Sequence, residues 1–89
     1  MHPSIKGRVS DIAFGGSEFW TIKVLMDGKY PAQAFLVDFR AIMTINGVQA
    51  DLTDIVSAVT ETTVDVVLTP CEQRYGIIVK VEMTRSDKE

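Results

Sequence analysis

Histidine and cysteine are nearly missing from this chain: His2 and Cys71 are the only ones among its 89 residues. One cysteine cannot staple the chain internally, so a disulfide framework is excluded and a reducing compartment is the natural setting. One histidine and one cysteine do not make a zinc site of the usual composition, and nothing resembles a phosphate-binding glycine loop. His2 is expected to be a solvated terminal residue. Cys71 follows Pro70 in a predicted turn and is expected to be an unreactive thiol, because no histidine lies near it, although Arg74 is close in sequence. No apolar run approaches the roughly 20 residues that span a bilayer. Met1-His2-Pro3-Ser4 carries no basic patch followed by an apolar stretch, so no signal peptide is expected. These absences predict a soluble, cytoplasmic protein with no cofactor and no metal.

Excess positive charge is also lacking. The net charge is −3, whereas a chain built to hold a nucleic-acid backbone over a wide face would be rich in Lys and Arg. The charge is uneven, however. Residues 1–50 carry Lys6, Arg8, Lys23, Lys29 and Arg40 against Asp11, Glu18, Asp27 and Asp38, for a net +1, and residues 51–89 carry −4. A basic face on one side of the fold is compatible with this split. The length suits one domain over residues 1–84, with a polar tail at 85–89 expected to be disordered.

What the chain does have is alternation. In Glu18–Met26, Trp20, Ile22, Val24 and Met26 fall on one face and Phe19, Thr21, Lys23 and Leu25 on the other, the period-two signature of a strand. Gly15-Gly16-Ser17 before it and Asp27-Gly28 after it predict hairpin joints with positive-φ residues. Ser4–Phe14 reads as a first strand whose register switches between Val9 and Ile12, which a bulge near Ser10 and Asp11 would reconcile.

Tyr30–Ile45 admits two readings. As a strand it turns Phe35, Val37 and Phe39 inward and Asp38 and Arg40 outward. As a helix, Phe35, Leu36, Phe39, Ile42 and Met43 share a face, with Pro31 in the first turn and Asn46-Gly47 as the stop. A short helix is predicted at Thr53–Val59, capped by Thr53 or Asp51. Two closing strands follow at Thr62–Thr69 and Arg74–Met83. In the last, Tyr75, Ile77, Val79, Val81 and Met83 are predicted to line one face and Gly76, Ile78, Lys80 and Glu82 the other.

With Tyr30–Ile45 extended, the order is β-β-β-α-β-β, the layout of a small five-stranded Greek-key barrel of OB type, mainly β, with one short helix between strands 3 and 4. With Tyr30–Ile45 helical, it is a ββααββ α+β sandwich. The extended reading is the one adopted.

The acidic residues Asp51, Asp54, Glu61 and Asp65 lack the spacing of a calcium loop and are expected to form a solvated face. No acid, base and nucleophile converge in the sequence, so no enzyme is expected. Aromatic and basic residues are the more informative set, because single strands bind on aromatic platforms flanked by cations. Phe19 and Lys23 share the outward face of the second strand, Lys6 and Arg8 sit on the first, and Tyr30, Arg40, Arg74 and Tyr75 lie near strand ends or turns. The alternative for the aromatics is that Trp20, Phe35, Phe39 and Tyr75 are core.

The chain resembles the OB-fold proteins that bind single-stranded DNA, in Lys6-Gly7-Arg8-Val9, in the Phe19-Trp20 strand, and in the closing pair Val64–Leu68 and Tyr75–Val79. The resemblance implies a homo-oligomeric, non-catalytic domain for single-stranded DNA or RNA, an accessory to replication or recombination, which binds along its second and third strands and their loops. Lys6, Arg8, Lys23, Arg40 and Arg74 would then contact phosphates, with Phe19, Tyr30 and Tyr75 stacking on bases. A different class of function, a protein-interaction or assembly module that pairs through strand edges with a partner or with itself, draws on the acidic balance and on the outward apolar residues Leu25, Val67 and Ile78.

Overall fold

The computed structural model describes residues 3–85. Its elements are β1 (Ile5–Phe14), β2 (Phe19–Met26), β3 (Lys29–Ile45), β4 (Val48–Gln49), α1 (Leu52–Glu61), β5 (Val64–Pro70) and β6 (Ile77–Arg85). The fold is mainly β with one short helix. Tyr30–Ile45 is extended, not helical, so the ββααββ arrangement is not formed. Five strands close into a ring: β2 pairs with β1, β1 with β5, β5 with β6, β6 with β3, and β3 back with β2. All of these pairings are antiparallel except β3–β6, which is parallel. Parallel neighbours need a crossover, and here α1 and β5 supply it.

The alternation of β2 decides the interior. Trp20, Ile22 and Val24 are buried, and Val37 and Ala41 from β3, Val64, Val66 and Leu68 from β5, and Val81 and Met83 from β6 meet them. Each such Val, Ile, Leu or Met side chain contributes about 1.5–3 kcal/mol on burial. Helix α1 adds Ile55 and Ala58 to the same cluster. Its capping residue is Asp51, not Thr53: the Asp51 side chain accepts from the Asp54 N–H at 3.0 Å, and Asp54 returns the bond to the Asp51 N–H at 3.2 Å. This reciprocal box satisfies two N-terminal donors and starts the helix at Leu52, one residue earlier than expected.

β1 carries the expected bulge. Val9 pairs with Val24 and Asp11 with Lys23, leaving Ser10 as the extra residue. Gly7 lets β1 cross close to β2: a Cβ there would lie 2.5 Å from both the Leu25 carbonyl oxygen and Val24 Cγ1. The Asp27-Gly28 joint has two positive-φ residues as expected, but Gly15 and Gly16 do not adopt positive φ and belong to a longer connection. Asn46-Gly47 is a hairpin turn with φ of 52° and 83°, not a helix stop, and it forms the additional strand β4.

The last strand departs most from expectation. It begins at Ile77, so Arg74, Tyr75 and Gly76 lie in the connection from β5. Tyr75 is 90% exposed instead of lining the interior, and Ile78, expected outside, is 1% exposed. The cause is a second bulge: Thr69 pairs with Lys80 but Pro70 pairs with Ile78, so Val79 is an extra residue and the facing of side chains inverts across it. Arg85, expected to open the tail, ends β6, and its N–H donates to Asn46 Oδ1 at 3.0 Å. His2 and residues 86–89 lie outside the described residues.

Candidate nucleic-acid interface

The eight residues picked out as contacts do not share one face. Phe19, Arg40 and Arg74 come together, from the start of β2, the middle of β3 and the β5–β6 connection, and line a groove of about 480 Å³ with Ser17, Glu18, Asp38 and Phe39. Lys6 and Arg8 line a second groove of about 430 Å³, whose apolar residues include Leu25 and Val67 and whose acids are Asp27, Asp65 and Glu82. Tyr75 belongs to a third, apolar hollow of about 270 Å³ with Pro3, Ile5, Phe35, Pro70 and Ile78. Lys23 stands on the open face of β2 between Asp11 and Ala34. Tyr30 is 82% exposed at the start of β3, next to a cis peptide to Pro31.

The positions follow from strand pairing. Phe19 pairs with Asp38, so the outward faces of β2 and β3 are in register where the groove opens. The Phe39 N–H donates to the Glu18 carbonyl oxygen at 3.1 Å, which ties the end of the β1–β2 connection to the middle of β3. Beyond this point β3 has left β2, and Arg40 is exposed between half-buried Phe39 and buried Ala41. The β5–β6 connection closes the groove from the other side through Arg74, whose Nη2 donates to Asp38 Oδ2.

Asp38 is the electrostatic centre of this groove. Its Oδ1 accepts the Arg40 backbone N–H at 2.7 Å. That bond first, and the Arg74 guanidinium second, hold its carboxyl below the ordinary carboxylate value. Reciprocally, Asp38 foremost, and the Cys71 thiol after it, raise the Arg74 guanidinium above its ordinary value. Cys71 is half-buried, as a plain structural thiol would be, but its pKa is lowered, chiefly by the backbone N–H groups of Gln73 and Arg74.

Three further ion pairs lie outside this groove. Arg8 Nε lies 3.8 Å from Asp65, Lys80 Nζ 3.8 Å from Glu82, and Arg85 Nη2 3.5 Å from Glu61. Among the described residues no ion pair engages Lys6, Lys23, Lys29 or Arg40, all of which come from the first three strands. The acidic set Asp51, Asp54, Glu61 and Asp65 is thereby accounted for as a helix cap and two surface pairs. Among the described residues no three or more His, Cys, Asp or Glu gather as metal ligands, and no helix is long and apolar enough to cross a membrane.

No protein-family model, curated protein sequence or solved structure matches this chain. Sequence reasoning missed Asp38 and Glu18 as members of the groove. Asp38 was visible as an outward residue beside Arg40, but nothing in the sequence links it to Arg74, 36 residues away.

Proposed function

We propose that this protein is a non-catalytic domain that binds single-stranded nucleic acid, and that its closed ring is a Greek-key barrel of OB type. The observation that carries the reading is the meeting of Phe19, Arg40 and Arg74 in one groove, from β2, β3 and the β5–β6 connection. An aromatic ring beside two guanidiniums offers a base one partner and its phosphates two. Lys23, on the same outward face of β2 as Phe19, extends the cationic track. Lys6 and Arg8 contribute less in this reading, because three carboxylates stand beside them. Tyr30 and Tyr75 are the outlying stacking residues, both strongly exposed.

Anisotropy of a labelled oligothymidine, titrated with the protein across a salt series, tests this directly. Engagement of two to three phosphates predicts a slope of log K against log salt between about −1.4 and −2.1. Undetectable binding at low salt, or binding indifferent to salt, removes the phosphate role.

One observation favours a second reading, a protein-interaction or assembly module. Outward Leu25 and Val67 converge on the Lys6–Arg8 groove, where apolar surface is rimmed by charges of both signs, a composition suited to a protein partner or a second copy. Sedimentation across a concentration range decides the homo-oligomer form of this reading: a strict monomer speaks against it.

A further inference from the structure

Asp38 occupies the place in the groove where an anion would be held. A backbone N–H, from Arg40, and a guanidinium, from Arg74, converge on its two carboxylate oxygens, and phosphate oxygens take the same kind of donor set. The two partners differ in freedom. The Asp38 side chain is mostly buried, at 16% exposure, and fixed by its backbone bond, whereas the Arg74 side chain is half-exposed on a connecting loop. Glu18 is the other acid of the groove, and Arg40 carries its remaining cation, with no ion pair among the described residues.

We propose that Asp38 is an internal competitor for Arg74, so that a phosphate of bound single-stranded nucleic acid gains this guanidinium only by drawing it away from the Asp38 carboxylate. The proposal rests on the nucleic-acid reading of the groove and adds its regulation: affinity is held down by the protein's own carboxylate. The competitor acts in two ways. It occupies the donor that the phosphate needs, and it places a negative charge beside the phosphate's seat. Both weaken binding, and the first also removes one cation from the salt dependence.

The test is a cycle of four proteins, wild type, Asp38→Asn, Arg74→Ala and the double variant, each titrated with labelled oligothymidine over a salt series. Asparagine keeps an oxygen to accept the Arg40 N–H while discarding the charge. Asp38→Asn is expected to bind about tenfold tighter than wild type at low salt and to steepen the salt slope by about 0.7, the value of one further phosphate contact on a single strand. In the Arg74→Ala background most of that gain disappears. If wild type binds but Asp38→Asn binds no tighter, or gains as much without Arg74, the competitor role is overturned and the groove reading stands. If neither wild type nor Asp38→Asn binds at any salt, the groove reading itself fails and the proposal falls with it. Should Asp38→Asn not fold, the wild type still decides: the Arg74 Nε–H resonance must shift on oligonucleotide addition with the midpoint seen by anisotropy. A resonance that stays fixed while oligonucleotide binds overturns the proposal.

Discussion

The groove holding Arg40 and Arg74 and the groove holding Lys6 and Arg8 each present two cations beside carboxylates, yet they are built differently. In the first, one carboxylate, Asp38, is fixed on a backbone N–H and engages a single arginine, while Phe19 stands alongside. In the second, Asp27, Asp65 and Glu82 outnumber the cations, the Arg8–Asp65 pair is exposed at 3.8 Å, and the other residues are largely apolar. Proximity of two cations therefore does not define an anion site. What distinguishes the first groove is the convergence of donors and an aromatic ring from three separate elements.

The largest expected effect breaks the scaffold of the second groove. Gly7→Val forces a side chain against the Leu25 backbone and should cost about 2–3 kcal/mol, lowering the melting temperature by more than about 10 °C in a thermal melt. Next comes the contrast between grooves. Arg40→Ala with Arg74→Ala should weaken oligothymidine binding about 30-fold at low salt, and Lys6→Ala with Arg8→Ala less than about threefold, in parallel anisotropy titrations. Equal losses would dissolve the distinction. A smaller effect serves as a control: Asp51→Ala removes one half of the helix-capping box and should cost about 1 kcal/mol of stability by denaturant unfolding, with oligonucleotide affinity unchanged.

The smallest expected effect concerns pH. The Asp38 carboxyl is depressed in the folded protein by the Arg40 N–H and the Arg74 guanidinium. Its contribution to stability is thus fully present above the unfolded carboxylate value of about 3.9 and is lost as pH falls through the lower folded value. Below about pH 4 the melting temperature of wild type should fall more steeply than that of Asp38→Asn.

Much of the fold was legible because β2 is unambiguous: apolar Trp20, Ile22 and Val24 alternate with polar Thr21 and Lys23, between glycine-bearing joints. β3 was harder for a physical reason. Leu36 and Ile42 face outward at 44% and 60% exposure while small Ala41 faces in, so its apolar residues mimic a helical face. The bulge at Val79 was invisible because Ile77, Ile78 and Val79 are all apolar and β-branched, and any of them fits either side. Arg40, Arg74 and Phe19 could be named from residue type, but their meeting depends on ring closure, which brings the β5–β6 connection to the middle of β3. Asp38 escaped attention as a site residue because a carboxylate in a strand ordinarily means solvent.

The central claim, that single strands lie in the Phe19–Arg40–Arg74 groove, is tested most directly by mapping amide chemical shifts of the wild-type protein during titration with oligothymidine. The account predicts saturating shifts concentrated at Ser17–Phe19, Asp38–Arg40 and Gln73–Tyr75, with Lys6–Arg8 and Asp65 nearly still. Shifts concentrated instead around Lys6, Arg8, Leu25 and Val67, with the Arg74 region unmoved, would contradict it.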